Sequence, residues 1–279
     1  MILSATSFAL MAAAVKGLPE DMPVVLKVFV RNLVSLFVAF LLATKTKAPL
    51  LGSSPKGRLL LLVRSLFGLT GVLLFFYAIG KLSLADSALF MRLSPFWVVI
   101  LAAIFLKEKI NRSQIIALLL AFIGVLFIFR PFASGSTIPL LAGIAALVAS
   151  LSAGSAYTLV SKLKNYEKPE TIVFVFSLIS VVAMAPFVLV ASYIPTLSEL
   201  TLLGGIGLAA AGGQMFITYS YRFGKASEVS IFNYMGIPIS AVLGFFLWHE
   251  IPDGWSLLGA ALIIGAGVLV YFSKRKASR

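Results

Sequence analysis

Arg31, Arg64 and Arg92 each stand inside a run of apolar residues, in KVFVRNLVSLFV, LLLLVRSLFGLT and ALFMRLSPFWVV. A guanidinium is permanently charged and offers a planar fork of donors that fits a carboxylate or phosphate. Placing such a charge in the middle of an apolar helix costs at least about 2.5 kcal/mol, so it normally faces a protein interior or a wet cavity. At ~1.5 Å of rise per residue the three lie roughly 9 to 12 Å into their segments. The chain has no cysteine and a single histidine, His249, which removes thiolate chemistry and most imidazole chemistry. Asp86, Glu108, Glu228, Glu250 and Asp253 sit at the ends of apolar segments, so no carboxylate in that set reaches mid-membrane to exchange protons. Glu108 and Glu250 read as caps of the short loops leading into the next helix, and His249 as an interfacial residue. The cluster His249, Glu250 and Asp253 gives thin support for a membrane transferase. The residues therefore point to binding of an anionic small molecule, with no catalytic residue, no cofactor and no metal.

Pro95 and Pro238 are the second chemical signal. Each falls near the middle of an apolar segment, where proline removes the bond to the carbonyl four residues earlier, on Met91 and Tyr234. The two prolines are equivalent in an internal repeat. Tyr77, Gly80, Lys81, Pro95, Glu108 and Gly124 recur as Tyr221, Gly224, Lys225, Pro238, Glu250 and Gly267, at offsets of 142 to 144 residues. A matched pair of kinks is a candidate hinge or a wall of a binding site. The repeat partners of the three arginines are Ser177, Leu208 and Met235, so the fold does not require these charges; Arg64 could still extend to the cytoplasmic surface and Arg31 to the outer face beside Asn32.

These residues need an apolar scaffold, and composition supplies it. Of 279 residues 60% are hydrophobic and 12% charged, more apolar surface than one soluble core can hide. A bilayer core needs about 20 helical residues per crossing. Segments of that kind run over 23–44, 58–79, 85–106, 113–130, 138–161, 170–194, 200–221, 227–248 and 255–272, and a shorter one over 2–15 makes ten. Their division gives a first repeat over 1–133 and a second over 134–279. The expected class is an all-α integral membrane protein of ten transmembrane helices. Of the 23 Lys and Arg, sixteen fall on one side of this topology and four (Lys16, Lys27, Lys81 and Arg130) on the other. That asymmetry puts both termini in the cytoplasm and accounts for the net charge of +13 without nucleic acid. Five crossings per half, an odd number, make the repeats inverted in topology, which favours a carrier that alternates access.

Two five-helix halves, the block LSLADSALFMRLSPFWVVILAAIFLKEKI and the Gly-rich end IIALLLAFIGVLFI resemble the EamA-type branch of the drug/metabolite transporter superfamily. The stretch VRSLFGLTGVLLFFYAIGKLSLADSALF is similar to members that carry S-adenosylmethionine or vitamins. The resemblance implies a central cavity lined by the first, third, fourth, sixth, eighth and ninth helices. On that implication Trp97, Tyr157, Gln214, Tyr219, Asn233 and Tyr234 join Arg92, Arg64 and Arg31 as candidate substrate contacts. It also implies a small-molecule cargo, the lipid bilayer of the bacterial cytoplasmic membrane as surroundings, and leaves a homodimer open. A proton-coupled exporter of cationic compounds is the competing reading.

Overall fold

The computed structural model describes residues 1–19, 21–79, 81, 90–129, 140–191, 193–248 and 254–277. Asp86, His249, Glu250 and Asp253 lie outside the described residues. Among those described the chain is all helix, with no strand. Ten helices match the ten apolar segments: α1 (Ile2–Lys16), α2 (Val24–Lys45), α3 (Pro55–Ile79), α4 (Ser94–Phe105), α5 (Arg112–Phe129), α6 (Leu140–Leu163), α7 (Pro169–Val190), α8 (Leu197–Phe223), α9 (Gly236–Trp248) and α10 (Gly254–Ala277). Six of them contain stretches long and apolar enough to cross a bilayer, and α1, α4 and α5 are shorter apolar helices. Large side chains are turned outward, Leu189 at 87% and Leu140 at 79% exposure, which is tolerable only where lipid covers them. The fold is an integral-membrane bundle of two five-helix repeats.

Local chemistry sets the helix ends. Thr196 and Glu199 form a reciprocal box at the start of α8, Glu199 accepting from the Thr196 N–H at 2.7 Å and donating its own N–H to Thr196 Oγ1 at 3.4 Å. Gln114 reaches back to the Asn111 N–H at 2.7 Å before α5. α7 opens on Pro169 with Glu170 in its first turn, where a missing N–H is harmless and a negative charge meets the helix dipole.

Two expected helices are interrupted. A continuous helix is predicted over 227–248, yet the chain makes one α-turn (Ala226–Val229), a 3-10 run (Ser230–Met235) and then α9. A helix is likewise predicted through 85–106, but residues 90–91 are helical, Arg92 and Leu93 form a turn, and α4 starts at Ser94. Pro95 is thus in the first turn of α4 and Pro238 in the first turn of α9, so each stands where a helix restarts after a break. This corrects the expectation of mid-helix kinks. Proline is accepted at such positions because its N–H would have no partner there.

The chain packs as two compact units that cut across the sequence halves. One comprises residues 3–66 and 159–223, the other 67–158 and 224–279, with α3 and α6 contributing to both. In the first, Leu18, Met22, Leu26, Leu203 and Ile206 form a core. In the second, Val99, Ala117, Ala121, Val125, Ile231, Tyr234, Ile237, Ile263 and Ala266 do so. α5 and α10 touch backbone to backbone: a Cβ on Gly124 would lie 2.6 Å from the Gly259 carbonyl, and one on Gly259 2.5 Å from the Gly124 carbonyl. Small residues allow that approach where no hydrophobic force separates protein from lipid. Gly124→Ala is therefore expected to cost about 1 to 3 kcal/mol by overpacking. Gly204→Ala, where nothing lies within 4 Å, should be neutral or stabilising by up to about 1 kcal/mol. Unfolding of both variants in micelles checks the contrast.

Candidate functional site

The second unit holds seven of the predicted residues, and Arg92, Pro95, Trp97 and Tyr234 meet at the break before α4. In a regular helix the Phe96 N–H would bond to the Arg92 carbonyl; here it bonds to Leu93 at 3.0 Å, and the Trp97 N–H bonds to the same carbonyl at 3.3 Å. Pro95 has no N–H to offer Met91. The Arg92 carbonyl is taken instead by the Tyr234 hydroxyl, which donates to it at 2.7 Å. Tyr234, in the 3-10 run, is 1% exposed. The Arg92 guanidinium lies in the electrostatic neighbourhood of the Tyr234 and Tyr157 phenols. Its Nε is shut off from solvent without a hydrogen-bond partner.

The remaining residues of this unit divide between the site and packing. The Trp97 indole N–H donates to Ser150 Oγ at 3.0 Å. A Cβ on Gly154 would stand 2.5 Å from Trp97 Cβ and 3.1 Å from the Ser94 carbonyl, so the small-residue groove of α6 receives the start of α4. Trp97 is thereby a strut with its polar atom already used. Asn233 is half-buried in the 3-10 run beside Tyr234. Met235, the repeat partner of Arg92, lies against Gly267 of α10 and packs on the core, where the repeat predicts a wall for the apolar part of a ligand.

In the first unit, Arg64 on α3 is 2% exposed. Its Nη2 donates to Gln214 Oε1 on α8 at 3.3 Å, and its guanidinium sits 4.0 Å over the Phe176 ring. Arg64 is thus enclosed and does not extend to the surface. α1 docks beside this pair, Ser4 Oγ donating to the Gly213 carbonyl at 2.8 Å. Arg31 is half-buried on α2 next to Asn32, whose side chain caps Val28 O within the same helix.

Tyr219 turns out to be committed to a carboxylate that sequence reasoning missed. Its hydroxyl donates to Glu170 Oε1, and Glu170 is 3% exposed. Glu167, equally buried, accepts from the Ser53 N–H at 2.7 Å and its hydroxyl at 3.0 Å. The signal for both lay in YEKPET, where acids flank a helix-starting proline. Glu108 also differs from expectation. It caps no neighbouring helix but accepts from Ala226 and Ser227, 118 and 119 residues on. Among the described residues no group of three His, Asp or Glu side chains is gathered as a metal site requires.

Lipid-facing helices that enclose guanidinium groups and helix breaks define the class, a multi-pass membrane transporter. The chain belongs to the EamA-like transporter family, whose model matches residues 1–130 and again 140–272. It is similar to the pseudopaline exporter of Pseudomonas aeruginosa, 31% identical over 98% of this chain and 95% of that one. A riboflavin transporter of Brucella anthropi is 27% identical over 96% and 95%, and an S-adenosylmethionine uptake transporter of Rickettsia bellii is 25% identical over 75% and 73%. A solved structure described only as the crystal structure of a protein shares the fold at a TM-score of 0.85 and 17% identity, covering 100% of this chain and 96% of that one.

Tyr219→Phe should test whether this residue serves the fold or the cargo. Leaving the buried Glu170 carboxylate without its phenol is expected to lower unfolding stability by about 1.5 to 3 kcal/mol, the scale for bonds to charged groups. Stability equal to the parent would return Tyr219 to the list of cargo contacts.

Proposed function

We propose that the chain is a secondary carrier that moves a small polar metabolite bearing a carboxylate or phosphate, such as an amino acid or an S-adenosylmethionine-like compound, across the bacterial cytoplasmic membrane by alternating access. The observation that carries this reading is Arg92: a guanidinium on the break of an interrupted helix, its Nε screened from water and awaiting an acceptor. Discontinuous helices are where carriers of this type hold their substrates. The names of the relatives support small polar cargo and span both export and uptake, so direction is not set by kinship. The halves 1–133 and 134–279 act as the inverted repeats in this reading, with both termini cytoplasmic on the charge asymmetry. Arg64 with Gln214, and Arg31, are further cargo contacts in it, and neither a cofactor nor an enzymatic step is required.

The reading that competes, export of cationic compounds against protons, gains one observation: Glu170 and Glu167 are buried carboxylates. Both are already held, by Tyr219 and by Ser53 respectively, and both stand at the start of α7, at the end of a membrane crossing.

A thermal-shift screen of purified protein against amino acids, nucleosides, S-adenosylmethionine and riboflavin finds the cargo class, because a ligand of the native state stabilises by mass action. With the best ligand, Arg92→Ala should bind roughly tenfold to a hundredfold more weakly, from the loss of bonds to a charged group. Arg92→Lys keeps the charge without the fork and should fall between, and Met235→Leu should be mild. Arg92→Ala that inserts normally and binds as tightly as the parent removes the anionic-cargo reading.

A further inference from the structure

Glu108 lies beyond the end of α4, in a loop that turns through Lys107 at φ +54°. Its carboxylate accepts the Ala226 N–H at 2.9 Å, the Ser227 N–H at 3.0 Å and the Ser227 hydroxyl at 2.7 Å. Ala226 and Ser227 are fully buried. The segment they open runs through the 3-10 turns to Tyr234, whose hydroxyl holds the Arg92 carbonyl at the other end of α4. So one stretch, 226–235, is tied to both ends of one helix, and between the ties it is one α-turn followed by six 3-10 residues. Runs of 3-10 longer than about four residues are uncommon, and inside a longer helix they often mark a hinge.

The tie at Glu108 is unlike the caps of α5 and α8, which come from the residue just before the helix and its own first turn. Lys225 gives Ala226–Val229 no side-chain cap. The orphan N–H groups at this helix start are satisfied by a charge from elsewhere in the chain, a strong bond that depends on two segments staying together. Beside it lie Lys107 and Lys109 in sequence, and Glu228, which pairs with Lys225 at 4.0 Å.

We propose that the Glu108 carboxylate and the Ala226–Ser227 amides form a latch, closed in this structure, that opens once in each transport cycle to let residues 226–230 swing from the end of α4 while Tyr234 keeps its bond to the Arg92 carbonyl. The latch needs the chain to alternate access but is independent of what the cargo is. It concerns Glu108 alone; the repeat-equivalent Glu250 and Ser83 lie outside the described residues.

The absence of cysteine makes a clean reporter possible. Ser230→Cys sits in the swinging segment at 1% exposure and leaves the Glu108 bonds intact; Ser152→Cys, 4% exposed on α6, is the control. In lipid nanodiscs, where both faces are open, a membrane-impermeant maleimide should label Ser230→Cys slowly but to completion. Adding Glu108→Gln should speed that labelling about tenfold or more, since a charge-assisted tie is lost, while Ser152→Cys is unaffected. Equal rates with and without Glu108→Gln, no labelling in either background, or equal acceleration of both reporters overturns the latch. Should Glu108→Gln fail to insert, Ser227→Ala, which removes the hydroxyl bond alone, makes the same comparison. Failure here with cargo still weakened by Arg92→Ala would leave the anionic-cargo reading standing.

Discussion

Every main-chain carbonyl that loses its helical partner inside a bilayer must find another, because there is no water to take its place. That constraint governs the break before α4. Pro95 starts α4 afresh, and the Phe96 N–H, turned to Leu93, leaves the Arg92 carbonyl to be satisfied by the Tyr234 phenol. Tyr234 can do so because it is set in the core with Ile231, Ile237 and Ile263, which fixes where its hydroxyl ends. The backbone of Arg92 is then held while its Nε has no hydrogen-bond partner, and the candidate site follows from how one interrupted helix is repaired.

The same demand explains three of the acidic residues. Glu108 serves the amides at 226 and 227, Glu167 those of the loop before α3, and Glu199 its own helix start. Lys168 donates to the Thr46 carbonyl at 2.8 Å and Thr171 to that of Pro49 at 2.7 Å, closing the end of α2 and the loop beyond it. Charges at these helix ends complete the backbone, whereas within an apolar segment the Arg92 Nε has no hydrogen-bond partner.

Apolar run lengths were enough to locate ten helical segments but not the breaks within two of them, because about 20 residues per crossing constrains length and not continuity. The repeat likewise identified Pro95 and Pro238 as equivalent. What the pattern could not show was which residue answers a freed carbonyl: Tyr234 sits 142 residues from Arg92, and nothing local in FNYMGIP says that its hydroxyl is already committed. The partners of Trp97 and Tyr219 were hidden for the same reason, their polar atoms meeting Ser150 and Glu170 on other helices. Arg64 is enclosed by Phe176 and Gln214, neither of which is near it in sequence. Spacing reveals faces and ends, but pairing across helices is settled by packing.

A double-mutant cycle between Pro95 and Tyr234 tests the central claim most directly. Pro95→Ala restores the N–H for Met91 and removes the ring that bars a continuous helix, so the Phe96 N–H can return from Leu93 to the Arg92 carbonyl, after which the phenol has less to do. Tyr234→Phe should therefore cost about 1 to 3 kcal/mol of unfolding stability in the parent, the scale for an unsatisfied buried acceptor, and less than about half of that when Pro95→Ala is present. Strictly additive costs would show that Tyr234 does not serve the break, and the account of the site would fall with it.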